Sequence, residues 1–125
     1  MPTVKKIKPF FTDSRGEMSH LVEGDTTFNS AVLITCKKGA IRANHYHQKD
    51  AHYSYVLEGE MNYYYTNDEK TKPKKVIVHK GEMVYTPPGE IHAMEFKKDS
   101  VFLAITTEER SRDKYEEDTI RIKIV

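Results

Sequence analysis

Histidine is the residue type best suited to chemistry near neutral pH, because its ring titrates there and in its neutral form binds metals. Of six histidines, His45, His47 and His52 fall in one short stretch, and His92 follows the break Pro87-Pro88-Gly89. In an extended strand, residues two apart face the same side, so His45 and His47 project together while Tyr46 points away. A turn over Gln48–Ala51 would bring His52 back to the same space from the next strand, and His92 could enter from a strand packed nearby. Two nearby histidines alone are more often solvated or hydrogen-bonded than ligating. Four converging imidazoles instead suit a divalent transition metal such as zinc, iron, nickel or manganese. Their second ring nitrogens need partners, and Gln48, Asn44 or Tyr63 is expected to supply them. His20 and His79 lie outside this constellation.

Short β-like segments separated by turn residues are what must position these rings. They are Val4–Phe11, Gly16–Val22, Ser30–Lys37, Ile41–His47, Tyr53–Leu57, Glu60–Thr66, Lys74–His79, Glu82–Thr86, His92–Phe96 and Val101–Thr107. Breaks at Gly39, Gly59, Asn67-Asp68, Gly81 and Pro87-Pro88-Gly89 divide them, a pattern that predicts an all-β sandwich or barrel. Glu108–Glu117 is charged and reads as a turn or short surface helix, and Asp118–Ile124 alternates so as to place three isoleucines on one face of a final strand. By the same alternation Tyr53 and Tyr55 face away from His52 and are assigned to core packing. With 125 residues the chain has room for one domain, residues 1–125.

Composition narrows the partners. Twenty Lys and Arg against 19 Asp and Glu leave a net charge of +1, which provides no field for gathering nucleic acid or an anionic membrane. The longest apolar runs are far too short to span a bilayer. The opening Met1–Lys6 is followed by no apolar segment, so a cytoplasmic protein is expected. The single cysteine, Cys36, lies in an apolar stretch and reads as a buried filler. Edge strands of one small barrel, with the extended Val4–Phe11 and Ile120–Ile124, suggest a homodimer.

The spacing of Gly39, His45, His47, His52 and Gly59 resembles the first motif of the cupin superfamily, with His52 where that motif carries a glutamate. Gly81, Pro87, Gly89 and His92 resemble its second motif, with Phe96 in place of an asparagine. The motifs span residues 39–59 and 81–96, and the resemblance implies a single-domain cupin, a double-stranded β-helix or jelly-roll barrel. Asp13-Ser14-Arg15-Gly16 and Arg42-Ala43-Asn44-His45-Tyr46-His47 further resemble segments of sugar-nucleotide 3,5-epimerases, 3,4-ketoisomerases and the cupin domain of capsular-polysaccharide enzymes.

What the resemblance implies is an isomerase or epimerase acting on a nucleotide-linked keto sugar in cell-surface polysaccharide metabolism. His45 and His47 would be catalytic, Arg42 would contact a phosphate and Tyr63 the substrate. His45, His47, His52 and His92 would hold the metal, although one ring cannot at once ligate a cation and act as a free base. Two other readings fit the same residues, a non-haem iron dioxygenase and a non-catalytic small-ligand-binding cupin.

Overall fold

The computed structural model describes residues 3–25, 27–109 and 111–125. In chain order the strands are β1 (Thr3–Lys6), β2 (Phe11–Asp13), β3 (Gly16–Met18), β4 (Ser30–Cys36), β5 (Ile41–His47), β6 (His52–Glu58) and β7 (Glu60–Thr66). There follow β8 (Lys74–His79), β9 (Glu82–Thr86), β10 (Ile91–Glu95), β11 (Ser100–Thr106), the helix α1 (Arg112–Asp118) and β12 (Thr119–Arg121). Ten of them form two five-stranded antiparallel sheets, ordered β1-β9-β6-β11-β4 and β12-β5-β10-β7-β8, while β2 and β3 make a separate hairpin. The all-β expectation holds, and the two facing sheets form a jelly-roll sandwich.

Alternation decides what lies between the sheets. On β11, Ser100, Phe102, Ala104 and Thr106 are buried while the residues between them are half-buried, and on β6 the buried set is His52, Ser54 and Val56. Met61, Tyr63, Val78 and Val84 fill the space from the other strands, and Phe96 from just beyond β10. Phe96 stacks on Phe102 with ring centroids 5.8 Å apart, so the position where the resembling motif has a polar residue serves here as core. Cys36 belongs to the same cluster.

Several elements differ from expectation. Val4–Phe11 is divided into β1 and β2, with Pro9, which has no N–H to give a ladder, in the gap. Gly16–Val22 contributes only the three-residue β3. The final strand is confined to β12; beyond it, the amides of Ile122, Ile124 and Val125 turn to Asn44 rather than to a strand ladder. Tyr53 and Tyr55 do face away from His52, but onto the half-buried outer face, where Tyr53 lies 4.9 Å from the Tyr85 ring. No helix among the described residues is long and apolar enough to cross a membrane.

Two motif glycines test how the turns are built. Gly39 and Gly59 both have left-handed backbones, φ +91° and +80°, but a Cβ at Gly39 would meet nothing, whereas one at Gly59 would lie 2.7 Å from the Asp99 carbonyl oxygen and against Ser100 Oγ. Gly39→Ala should therefore cost about 1–2 kcal/mol, the backbone strain alone, and Gly59→Ala roughly 1–3 kcal/mol more for the overlap. Urea unfolding of the two variants checks the ordering, and equal losses would contradict it.

Candidate active site

His45 and His47 lie on β5, His52 begins β6 and His92 sits on β10. Because β5 and β6 belong to opposite sheets that face one another, side chains from both meet between the layers. The four rings are buried, at 4, 3, 4 and 1% exposure. Ring centroids are 4.5 Å apart for His45 and His47, 4.9 Å for His45 and His92, 5.6 Å for His52 and His92, and 5.8 Å for His47 and His52. All four line one cavity of about 360 Å³.

Within this cluster the structure distinguishes two overlapping groups. The ligating atoms of His45, His47 and His92 lie within 4.8 Å of one another, and so do those of His47, Asp50 and His52. His52 Nδ1 is 2.9 Å from Asp50 Oδ2, and the other carboxylate oxygen accepts the Glu108 amide at 3.2 Å. His92 Nδ1 donates to the Glu90 carbonyl oxygen at 3.0 Å, which leaves Nε2 as the lone-pair nitrogen of the neutral ring. His47 Nδ1 is 3.3 Å from Thr119 Oγ1 and 3.7 Å from Asp118 Oδ2. The groups that orient these rings are thus Asp50, Thr119, Asp118 and a backbone carbonyl. Asn44 is instead engaged with residues 122–125.

Tyr63 does not line the cavity. Its ring lies parallel to His92, 5.9 Å away, on the side toward the core, and it is fully buried. Its hydroxyl donates to Glu90 Oε1 and meets Thr86 Oγ1, both at 2.7 Å. The ring is thus a platform under His92 rather than part of the wall a substrate would meet. Burial, then the nearby Glu90 carboxylate, pushes the phenol well above its ordinary range, and burial raises Glu90 in turn. Burial, followed by the neighbouring rings of His52 and His45, holds His92 well below the ordinary histidine value, so it stays neutral with its lone pair available.

Arg42 lines the cavity, with Nε donating to Cys36 Sγ at 3.1 Å and Nη2 to the Thr35 carbonyl oxygen at 2.9 Å. Three further polar residues of the wall lie outside the set expected from sequence. Tyr115 of α1 places its ring 5.4 Å from His47 and 6.0 Å from His45. Arg121 of β12 reaches the same cavity while pairing with Glu116 at 2.7 and 2.9 Å. Nothing in their charged surroundings marks either one. Ser54 was legible, since it lies two residues from His52 on one strand and shares its face; its Oγ is buried with no hydrogen-bond partner among the described residues. His20 stacks on Phe10, and His79 is an exposed residue near Glu60, both away from the cavity.

The depressed pKa of His92 has a consequence of definite sign. The unfolded chain takes up a proton at about 6.5, whereas the folded chain does so only at lower pH. The contribution of His92 to the stability of the metal-free protein is therefore fully present above about pH 6.5 and falls as pH drops below it. Glu90, raised, works in the opposite direction and loses its contribution as pH rises above about 4.5. Urea midpoints measured across this window should fall toward acid, and His92→Leu should flatten that fall; equal slopes in both proteins would show that His92 titrates normally.

The cupin domain model matches residues 32–107, and no curated protein matches the chain. Among solved structures, the fold is similar to a dTDP-4-dehydrorhamnose 3,5-epimerase from Sulfolobus tokodaii, 17% identical over 97% of this chain and 76% of that one, with TM-score 0.75. It is also similar to a sugar 3,4-ketoisomerase from Thermoanaerobacterium thermosaccharolyticum, solved in complex with TDP, 19% identical over 96% of this chain and 87% of that one, with TM-score 0.72. A capsular polysaccharide assembling protein from Staphylococcus aureus is 19% identical over 95% of this chain but only 33% of that one, with TM-score 0.69. At these identities the likeness is one of fold. The family match covers both glycine-bounded motifs and the strands carrying all four histidines, and the chain belongs to the cupin domain family.

Proposed function

We propose that this cupin is an isomerase or epimerase of a nucleotide-linked keto sugar, with His45, His47 and His92 able to hold a divalent cation. The observation that carries the reading is the convergence of three buried imidazoles in one cavity beside a separate His52–Asp50 pair. The donor set fits such a cation: all three nitrogens come from imidazoles, His92 is held neutral, and ligand atoms lie close enough to share one ion. Bound there, a cation would polarise a carbonyl oxygen, the function an enolate-forming reaction requires.

With the cation assigned to His45, His47 and His92 and the base to His52, no ring has to serve as both ligand and base. Asp50 orients His52 through Nδ1, so Nε2 is the nitrogen placed to accept a proton from the carbon next to a keto group and return it. Buried together, the two hold the imidazolium that such a transfer creates. Arg42 puts positive charge on the cavity wall, suited to a phosphate, and Arg121 reaches the same wall paired with Glu116. The Ser54 hydroxyl offers a hydrogen bond to a sugar oxygen in a cavity whose lining also includes Met94, Phe102 and Ala104. The similarity to sugar-nucleotide isomerases and epimerases supports the same substrate class.

Incubation with a dTDP-linked 4-keto-6-deoxyhexose in D2O should introduce deuterium next to the keto group, and His52→Gln should slow this by about 100-fold or more. Absence of exchange with any keto sugar nucleotide, accompanied by oxygen uptake with iron, would replace this reading with that of a dioxygenase. Elemental analysis of protein purified without chelator should find a transition metal. His45→Ala, His47→Ala and His92→Ala should each reduce it to less than about a tenth, and His20→Ala and His79→Ala should leave it unchanged. Exchange at full rate in chelated enzyme would refute the role of the cation.

A homodimer belongs to the same proposal. Edge strand β4 carries Leu33 at 63% exposure, and β12 at the other sheet's edge carries exposed Ile120. Light scattering at micromolar concentration should give about twice the 14.5 kDa chain mass; a monomer would contradict it.

A further inference from the structure

Two consecutive residues of β5 that are not glycine, Ala43 and Asn44, have left-handed backbones, with φ of 70° and 55°. Such conformations are costly for residues with a Cβ, though asparagine tolerates them better than most. They lie where the ladder between β5 and β10 slips by one: His92 pairs with His45, but Ala93 pairs with Ala43, which leaves Asn44 as the extra residue of a β-bulge.

The slip changes which side chains share a face. His92 and Met94 are two apart on β10, whose pairing with β7 is regular, so both point the same way. Residues directly opposite one another across a ladder also share a face. His45, opposite His92, and Arg42, opposite Met94, therefore both turn to the cavity, although they are three residues apart. In a regular strand, positions three apart lie on opposite faces, and Arg42 would point away from the histidines.

Asn44 is also where the segment after β12 is fastened. Its backbone oxygen accepts the Ile122 amide at 2.9 Å. Its Oδ1 accepts the Ile124 and Val125 amides at 2.9 and 3.0 Å, and its Nδ2 donates to the Val125 oxygen at 3.2 Å. Just upstream, β12 pairs with β5 so that Arg121 is opposite His45 and Thr119 opposite His47. Farther upstream, Asp118 accepts the Lys49 and Asp50 amides at 2.8 and 3.0 Å.

We infer that Asn44 is a positioning residue for the cavity: by clasping residues 122–125 it holds the bulge that turns Arg42 and His45 onto one face. The clasp acts on the shape of the cavity and does not depend on what the cavity binds. Docking of the segment and placement of the His45 ring are thereby one event.

Asn44→Gly tests this, because glycine keeps the left-handed backbone while losing the carboxamide. Asn44→Asp keeps the oxygen that accepts two amides but loses the donor to Val125. Three quantities are read: hydrogen exchange at the Ile122, Ile124 and Val125 amides, the imidazole NMR signals of His45 with His20 as reference, and cobalt(II) binding. In Asn44→Gly, exchange at Ile124 and Val125 should rise roughly tenfold or more, the His45 signals should move while those of His20 stay, and cobalt affinity should fall about tenfold. Asn44→Asp should shift the same quantities together by smaller amounts. Exposed amides with an unmoved His45 ring, in either variant, would overturn the inference, and so would unchanged exchange. Should the unaltered protein take up no cobalt, the cation reading fails, and the exchange and imidazole measurements decide the clasp by themselves.

Discussion

Removing four imidazoles from water is the constraint on which the rest of this structure depends. A buried ring resists protonation, and each additional ring beside it increases that resistance, as the lowered pKa of His92 shows. Burial thus keeps His92 neutral, and polar groups orient the rings: the Glu90 carbonyl for His92, Asp50 for His52, Thr119 and Asp118 for His47. Those groups come from a turn, the loop between β5 and β6, and the α1–β12 junction. Burial of the cluster and closure of the surrounding loops are thus the same requirement.

The sandwich meets it by letting each sheet supply part of the cluster. The second sheet contributes His45, His47 and His92 from adjacent strands β5 and β10, and the first contributes His52 from β6. Rings on one rigid sheet hold their mutual spacing, which suits the group of three; the ring from the opposite sheet brings its own carboxylate and forms a second group with His47. Below them, Tyr63 ties the stack to Glu90 and Thr86, so the apolar core and the cavity meet at a single aromatic platform. Met94, Phe102 and Ala104 belong to both.

The portion of the cavity built by α1 and β12 depends on different physics. A seven-residue helix whose Ser111 N-cap makes no side-chain hydrogen bond has little stability of its own. It stays in place because Asp118 receives two amides of the β5–β6 loop and because β12 adds to the edge of β5. Tyr115 and Arg121 reach the cavity through contacts far apart in sequence.

Much of the architecture was legible because its causes are local. Alternation predicts that His45 and His47 share a face, glycines mark where strands reverse, and the two spaced motifs identify the family and the four rings. The same rule extends to Ser54 from His52. Other features arise only from tertiary structure. Alternation assigns Tyr63 no particular neighbour, and it takes the packing of β7 beside β10 to place its ring under His92 and its hydroxyl on Glu90. Asp50 reads as one acid in a turn until folding buries it against His52. A strict period of two would separate Arg42 from His45, and only the bulge at Asn44, held by residues some eighty positions away, brings them together. The sequence by itself determined which residues form strands and which rings can meet, because periodicity and turn chemistry act over a few residues. Tertiary structure decided which nitrogens face the cavity and what closes it, because those outcomes rest on hydrogen bonds between segments that only the completed sandwich makes neighbours.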